Sequence, residues 1–161
     1  MIHWSLTIDF NVAEPIDFNY VKYFINKTLL DENGWRKKGY YFNYLCRCCT
    51  SVRSEDPIFH IRISTPETIS TTCKLPSNLS CADMNKNVIY LNSKRWVYGS
   101  VESGMNLEDY RTYLVNHEIG HLLKRSHNPC SNNIGDSCPV MYQQTISKGC
   151  CKPNKYPLDW E

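Results

Sequence analysis

Asn106-Leu107-Glu108-Asp109-Tyr110-Arg111-Thr112-Tyr113-Leu114-Val115-Asn116-His117-Glu118-Ile119-Gly120-His121-Leu122-Leu123-Lys124 is the stretch around which the rest of the chain is read. Asn106 has the side chain of a helix N-cap. Glu108 and Asp109 fall in the first turn, where the unpaired N–H groups favour negative charge. Tyr110, Leu114, His117 and His121 follow at steps of four, three and four, and so share one helical face. The spacing predicts a helix from about Leu107 to about Lys124. Histidines four apart on a helix stand ~40° apart around the axis and ~6 Å along it, so two imidazoles can reach one ion. Glu118 points off that line but neighbours the same point, where it can take a proton from a metal-bound water and return it later. His-Glu-x-x-His on a helix therefore reads as a zinc site with its own base, in preference to two surface histidines that bracket a glutamate.

A third histidine stands six residues on, so three of the five histidines lie within positions 117–127. On an unbroken helix His127 would be ~80° off the His117 line and ~15 Å along the axis, too far to share an ion. For His127 to be the third ligand, the helix must end near Lys124 and the chain must turn back. Arg125-Ser126 ahead of it and Asn128-Pro129 behind it suit such a terminus. Asp136 is the nearest acidic alternative downstream.

Outward from the helix, residues 3–10 alternate apolar and polar like a half-buried strand. Pro15 opens a helical pattern carried by Ile16, Tyr20, Phe24 and Ile25 and stopped at Asn33-Gly34. Tyr40 to Leu45, Ile58 to Ile63 and Val88 to Leu91 read as strands. Pro66 to Lys86, rich in Ser, Thr, Pro, Asn and Cys, reads as a long loop. The tail after the helix is rich in Pro, Gly, Asn and Cys. The expected order is β-α-β-β-β-α with an irregular tail: an α+β domain whose helices pack on one side of a small mixed sheet. The 161 residues make one domain: a sheet-bearing part over 1–106, the active-site helix over 107–125, and the third ligand and tail over 126–161.

Composition narrows the function. A net charge of +2 with mixed signs gives no reason to expect a nucleic-acid or membrane partner, and Arg36-Lys37-Lys38 reads as a solvated turn. No apolar run approaches the ~20 residues a bilayer needs, and the alternating N-terminus does not read as a signal peptide. Nine cysteines is a high density, and none forms a C-x-x-C pair of the kind that marks a zinc ribbon, where two such pairs are needed and only Cys46 and Cys49 have that spacing. Disulfides are therefore favoured over thiols, with Cys73, Cys81, Cys130 and Cys150 as candidates. The odd count leaves at least one cysteine unpaired or bonded to another molecule. Cys46, Cys48 and Cys49 are read as a disulfide or buried thiols ahead of a second metal site. The cysteines favour an extracellular, otherwise oxidising or virion setting. His3 and His60 fall in strands and are read as core or surface residues.

The histidine spacing resembles that of the metzincin zinc peptidases, which carry H-E-x-x-H-x-x-G-x-x-H and a later Met-turn. Met141, in Cys138-Pro139-Val140-Met141-Tyr142, matches that methionine. More closely, the chain resembles an uncharacterised metzincin-like family found mostly in actinobacteria. The likeness is densest in Tyr113 to His121 and Pro139 to Thr145. It runs more thinly through Thr28-Leu29-Leu30-Asp31 with Gly34-Trp35, Cys73 and Cys81, Gly149-Cys150, and Pro153-Asn154. The resemblance implies a zincin-like fold, one catalytic Zn2+ on His117, His121 and His127, Glu118 as general base, and Met141 as a hydrophobic floor. Lys124 departs from the family's glycine at a turn that favours a left-handed backbone, at a cost of roughly 1 kcal/mol. Tyr142 adjoins the turn where some metzincins keep a transition-state stabiliser, though its offset differs and a packed aromatic is the simpler reading. The expectation is a monomeric zinc endopeptidase acting on protein or peptide. The rival is a catalytically silent zinc-binding structural or interaction module, for which Glu118 has no use.

Overall fold

Alternation in Ile2–Ile8 (β1) sends Trp4 and Leu6 to one face of a sheet and His3, Ser5 and Thr7 to the other. The computed structural model describes residues 1–45, 55–130, 135–147 and 149–161. After β1 come α1 (Phe18–Leu30), a 3-10 turn (Trp35–Lys38), β2 (Phe42–Tyr44), β3 (Ile58–Ser64), α2 (Pro66–Cys73), β4 (Cys81–Asp83) and β5 (Val88–Asn92). They are followed by α3 (Ser93–Tyr98), a short 3-10 turn (Val101–Ser103) and α4 (Leu107–Leu122). The strands form one mixed sheet in the order β2-β1-β3-β5-β4, parallel except for β4, which runs antiparallel to β5 at an edge.

In register, Trp4 lies opposite Phe59, Leu6 and Ile89 opposite Ile61, and Leu91 opposite Ile63, so one face is apolar across three strands. Val21, Phe24, Ile25, Thr28 and Leu29 of α1 pack on it, and α4 completes the core. Asp17, whose side chain accepts the Tyr20 N–H at 2.7 Å, starts α1 later than Pro15. The buried stripe therefore runs through Val21 and Leu29, and Tyr20 is left exposed. α4 is buried on nearly every side from Thr112 to Gly120, as befits a helix running through a core.

Three expectations need correction. The stretch Pro66 to Lys86 is not a single loop: it holds α2 and β4. Thr65 caps α2 by accepting the Thr68 N–H, Pro66 opens its first turn and Lys74 ends it in a left-handed conformation. The many β-branched residues obscured those start signals. α2 packs on the opposite sheet face, where Ile69 meets Cys81 and Tyr90, so the helices do not all lie on one side. Residues 93–98 form the unanticipated α3, capped by Asn92 through the Lys94 and Arg95 N–H groups.

The disulfides Cys73–Cys81, Cys130–Cys150 and Cys138–Cys151 join α2 to β4 and staple the tail, a pattern compatible with an oxidising compartment. Cys46, Cys48 and Cys49 lie outside the described residues. Among the described residues, no helix is long and apolar enough to cross a membrane. Arg36-Lys37-Lys38 forms the 3-10 turn, with Lys37 and Lys38 both reaching Asp159 of the tail.

Candidate metal centre

α4 starts where the sequence places it, with the Asn106 side chain accepting the Asp109 N–H at 2.8 Å. It ends in a Schellman turn: the Lys124 N–H donates to the His121 carbonyl, and the Arg125 N–H reaches back to Gly120, both at 2.9 Å. Lys124 holds the required left-handed conformation at φ 65° without being glycine. The turn folds the chain back and brings His127 to the helix. Ring nitrogens of His117, His121 and His127 all lie within 4.8 Å of one another, and the three residues form a group that could hold a metal ion.

His121 Nε2 and His127 Nε2 are 3.1 Å apart. Two nitrogens on one tetrahedral zinc, each ~2.0–2.1 Å from it, lie about 3.3 Å apart, so the spacing suits such an ion. The tautomers suit it too. His117 Nδ1 is 2.8 Å from the Val140 carbonyl oxygen, and His121 Nδ1 is 3.0 Å from that of Arg125. A carbonyl can only accept, so each Nδ1 carries the proton and each Nε2 keeps its lone pair for an ion. Burial, helped by neighbouring His121, pushes His117 down to about 3. Burial also lowers His121 and His127. All three imidazoles are thus neutral near pH 7, the form that binds metal. Three protein nitrogens leave a fourth tetrahedral position open, as catalytic zinc sites do.

Glu118 is buried beside this group, and burial pushes it up to about 8. Its Oε2 has no hydrogen-bond partner among the described residues. A buried carboxyl left unsatisfied is costly, unless a cation and its water occupy the adjoining space. A nearby cation would draw the group back to the carboxylate.

Met141 is fully buried under the helix, and Gly120 is what admits it. A Cβ on Gly120 would lie 2.3 Å from Met141 Sδ and 2.9 Å from Trp35 Cζ2. Tyr142 contributes differently: its carbonyl accepts the Tyr113 hydroxyl at 3.0 Å, and its own hydroxyl lies against Gly149 in the tail rather than lining the cleft. Asp136 lines a separate groove beside Pro139 and Trp160. His3 sits near Asp56 and His60 bonds Ser5, both away from the centre.

Several residues of the centre lie in the stretches that carry the family likeness but were given no role in the sequence. Trp35 donates its indole N–H to the Asn116 carbonyl at 2.8 Å and packs beneath α4. The Tyr113 hydroxyl also accepts the Gln144 N–H at 2.9 Å, tying the helix to the Met141 turn. The one local signal was Gly120, since glycine inside a helix often marks a close approach.

The centre opens into a cleft along the edge strand β4. Leu75, Leu79, Ala82, Met84 and Ile146 make its apolar wall, with Glu118, His117, His121 and His127 at its floor. A second groove shares Met84, His121 and His127 and continues past Lys124 and Arg125. The family described as "Protein of unknown function (DUF3152)" matches residues 13–159. The chain belongs to DUF3152. No curated protein and no solved structure matches this DUF3152 member.

Proposed function

We propose that this chain is a zinc-dependent endopeptidase with a zincin-like fold and a metzincin-type centre. The observation that carries the reading is Glu118: a buried carboxyl with an unsatisfied oxygen, beside three grouped histidines, two of which, His117 and His121, have their Nε2 atoms left free by the carbonyls behind Nδ1. A zinc ion held there supplies Lewis acidity toward a substrate carbonyl and toward water. His117, His121 and His127 are the ligands, and Met141 fills the space beneath them. Glu118 takes a proton from the attacking water and delivers it to the departing amine. A silent structural site is a poorer match, because structural zinc is closed by four protein ligands and needs no base.

A polypeptide substrate is supported by β4. As an edge strand it presents backbone groups on its outer side, where an extended chain can add as a further strand. Apolar Leu75, Leu79 and Ile146 on one side of the centre suit an apolar side chain near the scissile bond. Lys124 and Arg125 on the other suit an acidic one.

The test is cleavage of a broad peptide library by zinc-loaded protein, with Glu118→Gln as control and zinc stoichiometry measured on both. Cutting by wild type alone, enriched for an apolar and an acidic position flanking the cut, is the expected result. One zinc in each protein and no cutting by either would turn the reading toward a binding module. Zinc retained in full by His117→Ala or His121→Ala would sink the ligand assignment.

A further inference from the structure

Glu161 lies far from the His-Glu-x-x-His segment in sequence, yet its side chain is buried beneath the centre. Its Oε1 accepts the Met141 N–H at 2.9 Å and the Asn128 side-chain amide at 3.3 Å. Its Oε2 accepts the Val140 N–H at 3.0 Å and the Leu158 N–H at 2.7 Å. Among the described residues no lysine or arginine pairs with it. Burying a carboxylate without a counter-ion is expensive, and here four N–H donors offset that cost.

Two of those donors belong to the turn that serves the histidines. The peptide joining Val140 to Met141 donates its N–H to Glu161 and accepts the His117 Nδ1–H on its carbonyl at 2.8 Å. Carboxylate, peptide and imidazole thus form one chain of hydrogen bonds. Polarisation passes along such a chain, so a charged acceptor at one end makes the carbonyl a stronger acceptor at the other. A histidine whose Nδ1–H meets a stronger acceptor is a more basic ligand through Nε2. The same carboxylate holds the Asn128 side chain, while the Asn128 N–H donates to the Met141 carbonyl at 3.1 Å, next to His127.

We propose that Glu161 is a positioning residue of the metal centre, polarising His117 through the Val140–Met141 peptide and fixing the His127 segment through Asn128. This rests on the reading of the three histidines as metal ligands, and its test separates the two. Zinc affinity is measured by chelator competition in wild type, Glu161→Gln and Glu161→Asp, with Tyr156→Phe as a tail-loosening control. The Tyr156 hydroxyl bonds Asp31 rather than the Met141 turn. The His117 Nδ1–H proton resonance is followed in the metal-free and zinc-loaded forms.

The expected result is zinc affinity about 10- to 100-fold weaker in Glu161→Gln, the usual effect of losing an outer partner of a ligand. The Nδ1–H resonance moves upfield in both forms, and Tyr156→Phe changes neither reading. Glu161→Asp keeps the charge but draws it back from the Met141 N–H. It gives the same upfield shift, and serves if the glutamine variant does not fold. Affinity within twofold of wild type and an unmoved resonance in the folded variants overturn the proposal, as does an equal loss of affinity in Tyr156→Phe. If wild type binds no zinc the metal reading falls, and the metal-free resonance still decides whether Glu161 polarises His117.

Discussion

Gly120→Ala tests the packing beneath the candidate metal centre, because its outcome turns on the sign. A Cβ at position 120 would sit 2.3 Å from Met141 Sδ, 3.2 Å from Met141 Cε and 2.9 Å from Trp35 Cζ2. Ordinary contacts are about 3.5–4.0 Å, so the sulfur must retreat by roughly 1 Å and the indole by about half that. Neither moves freely. Met141 is fully buried, and both its N–H and its carbonyl are hydrogen-bonded; Trp35 is held by its indole N–H to Asn116. Overpacking of this kind costs about 1–3 kcal/mol, while alanine in place of glycine returns about 1 kcal/mol of helix propensity. The net is a loss of about 1 kcal/mol, or roughly 2–4 °C in Tm for a domain of this size. Thermal unfolding of the metal-free protein followed by circular dichroism measures it, with zinc affinity read in parallel. Removing the obstacle with Met141→Ala should give a coupling of about 1 kcal/mol in a double-mutant cycle. A Tm that rises, as helix propensity alone predicts, would refute the packing argument.

Lys124→Gly works in the opposite direction. Relief of the left-handed conformation at φ 65° should stabilise the fold by up to about 0.5 kcal/mol after the extra entropy of glycine in the unfolded chain, read as a slightly higher urea midpoint. A lower midpoint would mean that the lysine side chain contributes more than its conformation costs. Replacing Cys138 and Cys151 with alanine should lower unfolding free energy by about 2–4 kcal/mol, and an unchanged denaturation curve would contradict the role given to that staple. In the metal-free protein, His117 held at about 3 makes the unfolded chain bind a proton below about 6.5 that the fold refuses, so stability falls toward acid. Glu118 held at about 8 makes the fold keep a proton that the unfolded chain releases above about 4.5, so stability falls toward base. Between about 4.5 and 6.5 the two slopes oppose each other. His121 and His127, lowered as well, add to the acid-side slope, so the metal-free Tm should peak at about 6.5 and decline on both sides, with zinc removing the decline above it. A metal-free Tm that climbs steadily from pH 5 to 8 would contradict this.

What could be read in the sequence is what local chemistry determines. The Asn106 cap, the four-residue spacing of His117 and His121 and the stop near Lys124 each depend on neighbours within a turn, and α4 runs as those signals require. The three strands read from aromatic and β-branched runs lie where expected. β4 escaped because three residues carry no measurable alternation, and its pairing with β5 comes from tertiary contact. α3 escaped for a similar reason, since six residues span less than two turns. At the centre, the indole of Trp35 meets Asn116 across 81 positions and Glu161 meets Met141 across 20. No periodicity encodes such partners, because any buried donor can be met from anywhere in the chain.

The histidines differ in their access to solvent: His117 is buried, His121 half-buried and His127 exposed. For an ion held by this group, that gradient would give capture an order in time. A hydrated ion arriving from solvent would meet His127 first, beyond the end of the helix. It would reach His121 next and His117 last, on the buried part of α4. By the reverse path a held ion would leave His117 first and His127 last, so its dwell time would depend on α4 as well as on the segment after Lys124.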